Sequence, residues 1–269
     1  TIDDEKCRAI LATEKRTGKK ITVTFNYRFA PRNAKIKEVI QSGGIGRVLS
    51  VDFHWYLDTS HGADYFRRWH RKKENSGGLL VHKATHHFDL INWYLDSEPE
   101  EVYAYGRRAF YGPTRQERGE RCLTCENRRT CTFYYDLTRN DELRGLYLNA
   151  ESEDAYIRDG CVFADEIDIY DAMVVAVRYK SGALMSYSLN AFMPYEGYRI
   201  AFNGTGGRLE ATIFEQCPWV TPPPEELRLI PLHGDTQLIA LPQAQGSHAG
   251  GDKLMRDAIF LGSVPESLN

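Results

Sequence analysis

From Ala172 onward the chain is a succession of short strands joined by turn residues, and this limits its fold more than any other feature. Ala172–Tyr179 and Ala183–Phe192 flank Lys180-Ser181-Gly182, while Tyr198–Asn203 and Arg208–Thr212 flank Gly204-Thr205-Gly206-Gly207. Leu227–Leu232 and Gln237–Leu241 follow after the break at Pro222-Pro223-Pro224. Paired apolar runs around a short glycine-bearing turn read as hairpins. Hairpins in series make a mostly antiparallel sheet. Upstream, Gly46–Leu57 alternates, with Val51, Phe53, Trp55 and Leu57 on one side and Asp52, His54 and Tyr56 on the other. Helical spacing covers Thr1–Gly18, a segment from Pro31 through Ile40, Asn75 to about Leu95, and a last helix for which Asp252 is the expected N-cap. Ile21–Phe29 and Glu101–Phe110 read as further strands, and Asp58–Ser76 as a long polar loop. The expected fold class is therefore α+β, a large open sheet with helices on one face.

The formal charge of −3 over 269 residues gives no basic surface for nucleic acid or an anionic membrane, and no apolar run is long enough to span a bilayer. The chemistry concentrates in Asn75–Trp93, NSGGLLVHKATHHFDLINW. On one continuous helix, His82 and His86 would stack, with Lys83 and His87 as a second pair beside them. Basic groups set among Leu79, Leu80, Phe88 and Ile91 are costly without partners or a role. Histidine titrates near neutrality, so general acid–base work on a hydroxyl or carbonyl is one reading. A His82/His86 metal pair is another, although Lys83 stands where a zinc-protease helix has Glu. Histidines that merely cap core contacts are the third. Gly43-Gly44-Ile45-Gly46 lacks GxGxxG spacing and leads from helix to strand, so it is a helix stop and not a dinucleotide turn.

Taken in order, FNYRFAP (25–31), GGIGRVLSVDF (43–53), WHR (69–71), GGLLVHKATHHFDLINW (77–93) and SHAGGD (247–252) resemble the Gfo/Idh/MocA oxidoreductases. That resemblance implies a Rossmann domain binding NAD or NADP, followed by a substrate domain on a large open sheet that often mediates oligomerisation. It implies hydride transfer between the nicotinamide and a carbon of a sugar, sugar derivative or cyclitol. The related alternatives are an NAD-dependent glycoside hydrolase or an inactive binding protein. Residues 1–29 would be the end of the cofactor domain and 30–269 the substrate domain, truncated at its C-terminal end. The family's Glu-Lys-Pro motif would fall before Thr1.

The family's helix has two glycines, Asp, His four later and Asp three after that. His86 and Asp89 match, whereas His82 stands in place of the first Asp. The catalytic candidates are thus His82, Lys83 and His86. Tyr27, Arg28, Trp69 and Arg71 are expected near the cofactor, and His61, Tyr65, His87 and His248 near the substrate. Cys122, Cys125, Cys131 and Cys161 could form a structural zinc site, with disulfides or buried thiols as the competing readings. Met173, Val175, Val177, Met185, Tyr187 and Leu189 are expected on the open sheet face, which predicts a homo-oligomer. The expected compartment is the cytoplasm.

Overall fold

The computed structural model describes residues 2–242 and 246–262. Thr1 and the expected domain end at Asn269 lie outside them. Eight strands form one sheet: β1 (Val48–Asp58), β2 (Pro99–Arg107), β3 (Ala172–Tyr179), β4 (Leu184–Met193), β5 (Glu196–Gly204), β6 (Gly207–Gln216), β7 (Glu226–Pro231) and β8 (Gln237–Ile239). Their order is β2-β3-β4-β1-β5-β6-β7-β8, with only β1 and β4 parallel. The two expected hairpins are present as β3/β4 and β5/β6, and the two shorter strand candidates pair as β7/β8.

The helices are α1 (Asp4–Thr17), α2 (Pro31–Gln41), α3 (Thr59–Arg67), α4 (Lys73–Ser76), α5 (Leu79–His82) and α6 (Thr85–Leu95). Two short ones, α7 (Asp141–Leu143) and α8 (Glu151–Asp154), precede α9 (Gly251–Leu261). The alternation of β1 is real: Val51, Phe53, Trp55 and Leu57 are all buried. Trp55 lies between His87 of α6, stacked at 3.9 Å, and Tyr198 of β5, stacked at 5.2 Å. Phe53 meets Tyr187 edge-on at 5.5 Å. Burying each such ring stabilises the domain by about 1.5–3 kcal/mol, so this aromatic layer fixes α6 on the sheet.

Four expectations change. Ile21–Phe29 is not a strand, because among the described residues no strand lies beside it to complete a ladder. Its end turns instead into a 3₁₀ segment, Asn26–Phe29, where Asn26 Nδ2 donates to Asp252 Oδ1 at 2.6 Å. Asp58–Ser76 is mostly helical. The Asp58 carboxylate caps α3 by accepting from the backbone N–H groups of Ser60 and His61. The cap of α9 is Gly250; Asp252 is the second residue of the helix, within its first turn, and is held by His248 and Asn26.

The sheet faces are also reversed from expectation. Met173, Val175, Val177, Met185, Tyr187 and Leu189 are buried under the helices. Their alternates Val174 and Leu184, with Tyr103 and Tyr105 of edge strand β2, are the exposed apolar residues. Strand register tells which residues share a face, but not which face the helices cover.

Between β2 and β3 the chain makes a long irregular excursion. It is anchored at its root by Asp171, fully buried, whose carboxylate accepts from the N–H groups of Ala109, Phe110 and Tyr111 at 2.7–3.1 Å. Among the described residues, no helix is long and apolar enough to cross a membrane.

Candidate active site

The expected single helix over Asn75–Leu95 is broken twice. Gly77 and Gly78 take φ of 71° and 82°, values that favour glycine, and end α4. A second break at Lys83-Ala84 separates α5 from α6; the Thr85 hydroxyl takes the Val81 carbonyl there. His82 and His86 therefore do not stack on one face. The kink turns Lys83 towards the start of β5 instead, where Nζ lies 3.5 Å from Glu196 Oε1 and 5.2 Å from the centroid of the Trp55 ring.

A cavity of about 360 Å³ opens at this kink. His82, Lys83 and His86 all line it, with His61 and Tyr65 of α3, His248 before α9, Trp55 of β1 and Glu196 of β5. These six sequence candidates, from separate parts of the chain, thus meet in one cleft and do not point into sheet packing. The volume is at the small end of ligand pockets, about 300–1,000 Å³, and suits one hydroxylated ring better than a dinucleotide.

The electrostatics follow from burial. Desolvation lowers the proton affinity of His82, and the neighbouring Lys83 and Arg68 charges lower it further. His86 is lowered likewise, first by burial and then by Lys83 and His248. Both imidazoles are thus neutral at pH 7 and able to accept a proton. His86 lines the cavity, while its Nδ1 is buried with no hydrogen-bond partner in the protein. Burial opposes ionisation of Glu196, but the His61 hydrogen bond at 2.8 Å and the Lys83 charge outweigh it, so its pKa is lowered. Tyr65 stays a phenol, its pKa raised by burial and by Glu196.

Other candidates are placed differently. His87 forms part of the wall, yet it is a core residue at 1% exposure, with Nδ1 2.7 Å from the Tyr187 hydroxyl. Tyr27 is buried and its hydroxyl meets Glu215 and Arg32. Arg28 grips Asp89 of α6 with two hydrogen bonds. Arg71 pairs with Glu166 away from the cavity. Trp69 stacks on His70 at 3.8 Å and stays exposed. Of the four residues expected near a nicotinamide, Tyr27 lines the same cavity, Arg28 keeps 35% of its side chain exposed and Trp69 is exposed, whereas Arg71 lies at a different cavity.

The zinc expectation finds no support. Cys122, Cys125, Cys131 and Cys161 border one small cavity, but among the described residues no three His, Cys, Asp or Glu are placed to hold a metal. Arginines take the thiols instead: Arg67 Nη1 lies 3.1 Å from Cys122 Sγ and Arg115 Nη2 2.9 Å from Cys131 Sγ.

Glu196 and Trp55 are among the cavity residues that the sequence did not reveal. Trp55 is one of a regular alternating set, and Glu196 opens a strand far from Lys83 in sequence, so neither bears a local signature.

The profile of the oxidoreductase family's C-terminal alpha/beta domain matches residues 37–264. The chain belongs to the Gfo/Idh/MocA oxidoreductase family. YteT of Bacillus subtilis (strain 168), described as an oxidoreductase, is 44% identical over 272 residues, which cover 95% of this chain and 63% of YteT. Inositol 2-dehydrogenase of Rhizobium meliloti (strain 1021) is 32% identical over 103 residues, 38% of this chain and 29% of that protein. A Desulfitobacterium hafniense structure described as an NADPH-dependent oxidoreductase superposes with a TM-score of 0.60 at 14% identity, over 100% of this chain and 64% of that one. At that identity the likeness is one of fold. The chain spans less than two thirds of the length of these relatives.

Proposed function

We propose that this chain is the substrate-binding part of an NAD(P)-dependent oxidoreductase that acts on a hydroxyl or keto carbon of a sugar or cyclitol. One observation carries the reading: a cavity sized for a single ring, walled by neutral imidazoles, one ammonium and aromatic faces. Family membership and the inositol dehydrogenase relative support it. The nicotinamide, held mainly by residues outside this chain, supplies the hydride acceptor. A cytoplasmic setting, with its pool of nicotinamide cofactor, is part of the same proposal.

The chain's own residues supply proton management and orientation. His86, neutral and lining the cavity, takes the hydroxyl proton. Lys83 polarises the same oxygen and stabilises negative charge developing there. Trp55 and Tyr65 give apolar faces to a ring that is polar at its edges. Residues 1–29, with α1 having no buried residue, fit the end of the cofactor domain. The family resemblance further suggests self-association through the exposed face bearing Tyr103, Tyr105, Val174 and Leu184, which light scattering on the full-length protein tests.

The test is nicotinamide absorbance with full-length protein and a panel of aldoses and inositols. Turnover is expected, with kcat/KM falling about 10²–10⁴-fold in Lys83→Met and His86→Ala. Unchanged turnover in both variants, or no absorbance change with any member of the panel, overturns the proposal.

A further inference from the structure

Glu196 contacts two cavity side chains at once. Oε2 lies 2.8 Å from His61 Nδ1 and Oε1 lies 3.5 Å from Lys83 Nζ. The carboxylate is itself nearly buried, with a side-chain exposure of 8%, while His61 at 39% is open to the cavity. Three separate elements meet here, α3, the α5–α6 kink and β5, so the contact cannot be a by-product of one helix.

We propose that Glu196 is a positioning residue that clamps Lys83 and His61 together, so that the pair reads two neighbouring hydroxyls of an uncharged polyol. The inference rests on the substrate-site reading above and deepens it. An ionised carboxylate can only accept hydrogen bonds. His61 must therefore carry its proton on Nδ1, and in the neutral ring Nε2 is left as an acceptor for a substrate hydroxyl. Lys83, held at the other oxygen, is a donor. One donor and one acceptor fixed on the same carboxylate match adjacent hydroxyls, each of which both donates and accepts. An anionic sugar would bring its charge against Glu196. The charged and titratable groups facing Glu196 are His61 and Tyr65 from α3 and Lys83 from the kink.

The test is the tautomer of His61, read by long-range ¹H–¹⁵N correlation NMR on the full-length protein with labelled histidine. The Nδ1–H form is expected at pH 7.5 in the wild type. It should persist in Glu196→Gln, whose side-chain carbonyl still accepts. It should give way to the Nε2–H form in Glu196→Ala. An Nε2–H signal in the wild type overturns the clamp, and this holds even if Glu196→Ala fails to fold. A second arm measures steady-state kinetics with myo-inositol and with glucose against glucuronate. For the neutral polyol turned over, kcat/KM should fall at least about tenfold in Glu196→Gln, and glucuronate should be the poorer substrate. Preference for glucuronate overturns the polyol assignment. No turnover with any substrate while the Nδ1–H tautomer is present defeats the oxidoreductase reading and supports the clamp.

Discussion

Asp171→Ala should remove much of the domain's stability, because one buried side chain holds the backbone at the root of the β2–β3 excursion. Its carboxylate accepts from Ala109, Phe110 and Tyr111 N–H at 2.9, 2.7 and 2.8 Å. Hydrogen bonds to a charged group contribute about 1.5–3 kcal/mol each, and a buried donor left without a partner costs about 1–3 kcal/mol. Only the Tyr111 bond is wholly buried; water can reach the other two in part. Counting the first in full and discounting the others gives about 3–5 kcal/mol. Against a typical stability of about 5–15 kcal/mol, that is a large fraction. Asp171→Asn keeps the shape and one acceptor, so about half the loss is expected. The assay is urea unfolding followed by tryptophan fluorescence, comparing midpoints at equal slope. A loss below about 1 kcal/mol for Asp171→Ala would refute the reasoning, since it would mean the three N–H groups find other partners.

Gly62 in α3 has no room for a side chain: a Cβ there would stand 1.8 Å from the Ala191 carbonyl oxygen of β4. Gly62→Ala should therefore cost about 3 kcal/mol or more, or prevent soluble expression, and the same unfolding assay checks it. Acid should weaken the fold through the histidines. Burial, with His82 close by, lowers the pKa of His70 from 6.5 to about 4. The unfolded chain then binds the proton that the folded one refuses, so stability is intact above about pH 6.5 and falls as pH drops towards about 4, by up to about 1.4 kcal/mol per unit for this histidine. His82, His86 and His87 shift in the same direction. Urea midpoints at pH 7, 6 and 5 should decline in the wild type and more shallowly in His70→Gln, whereas a flat wild-type profile would contradict the burial argument.

Sequence patterns alone defined the local elements whose signals lie within a few residues. The alternation of Val51, Phe53, Trp55 and Leu57 and the turn residues at Lys180-Ser181-Gly182 produced strands and hairpins where expected. The basic cluster at 82–87 and its placement at a cleft were also legible, because charged groups among apolar ones demand a purpose. Tertiary structure decided the rest. Ile21–Phe29 has the composition of a strand, but among the described residues no strand lies beside it, and a hydrogen-bond ladder needs two strands. Met173, Val175 and Val177 share a face by periodicity, yet only the packing of α6 determines that this face is the core. The cysteines share a small cavity, but Cys122 and Cys131 are contacted by Arg67 and Arg115, pairings that cysteine spacing does not encode. Glu196 becomes part of the site only because the kink at Lys83 and the start of β5 meet in space, a contact that no local spacing encodes.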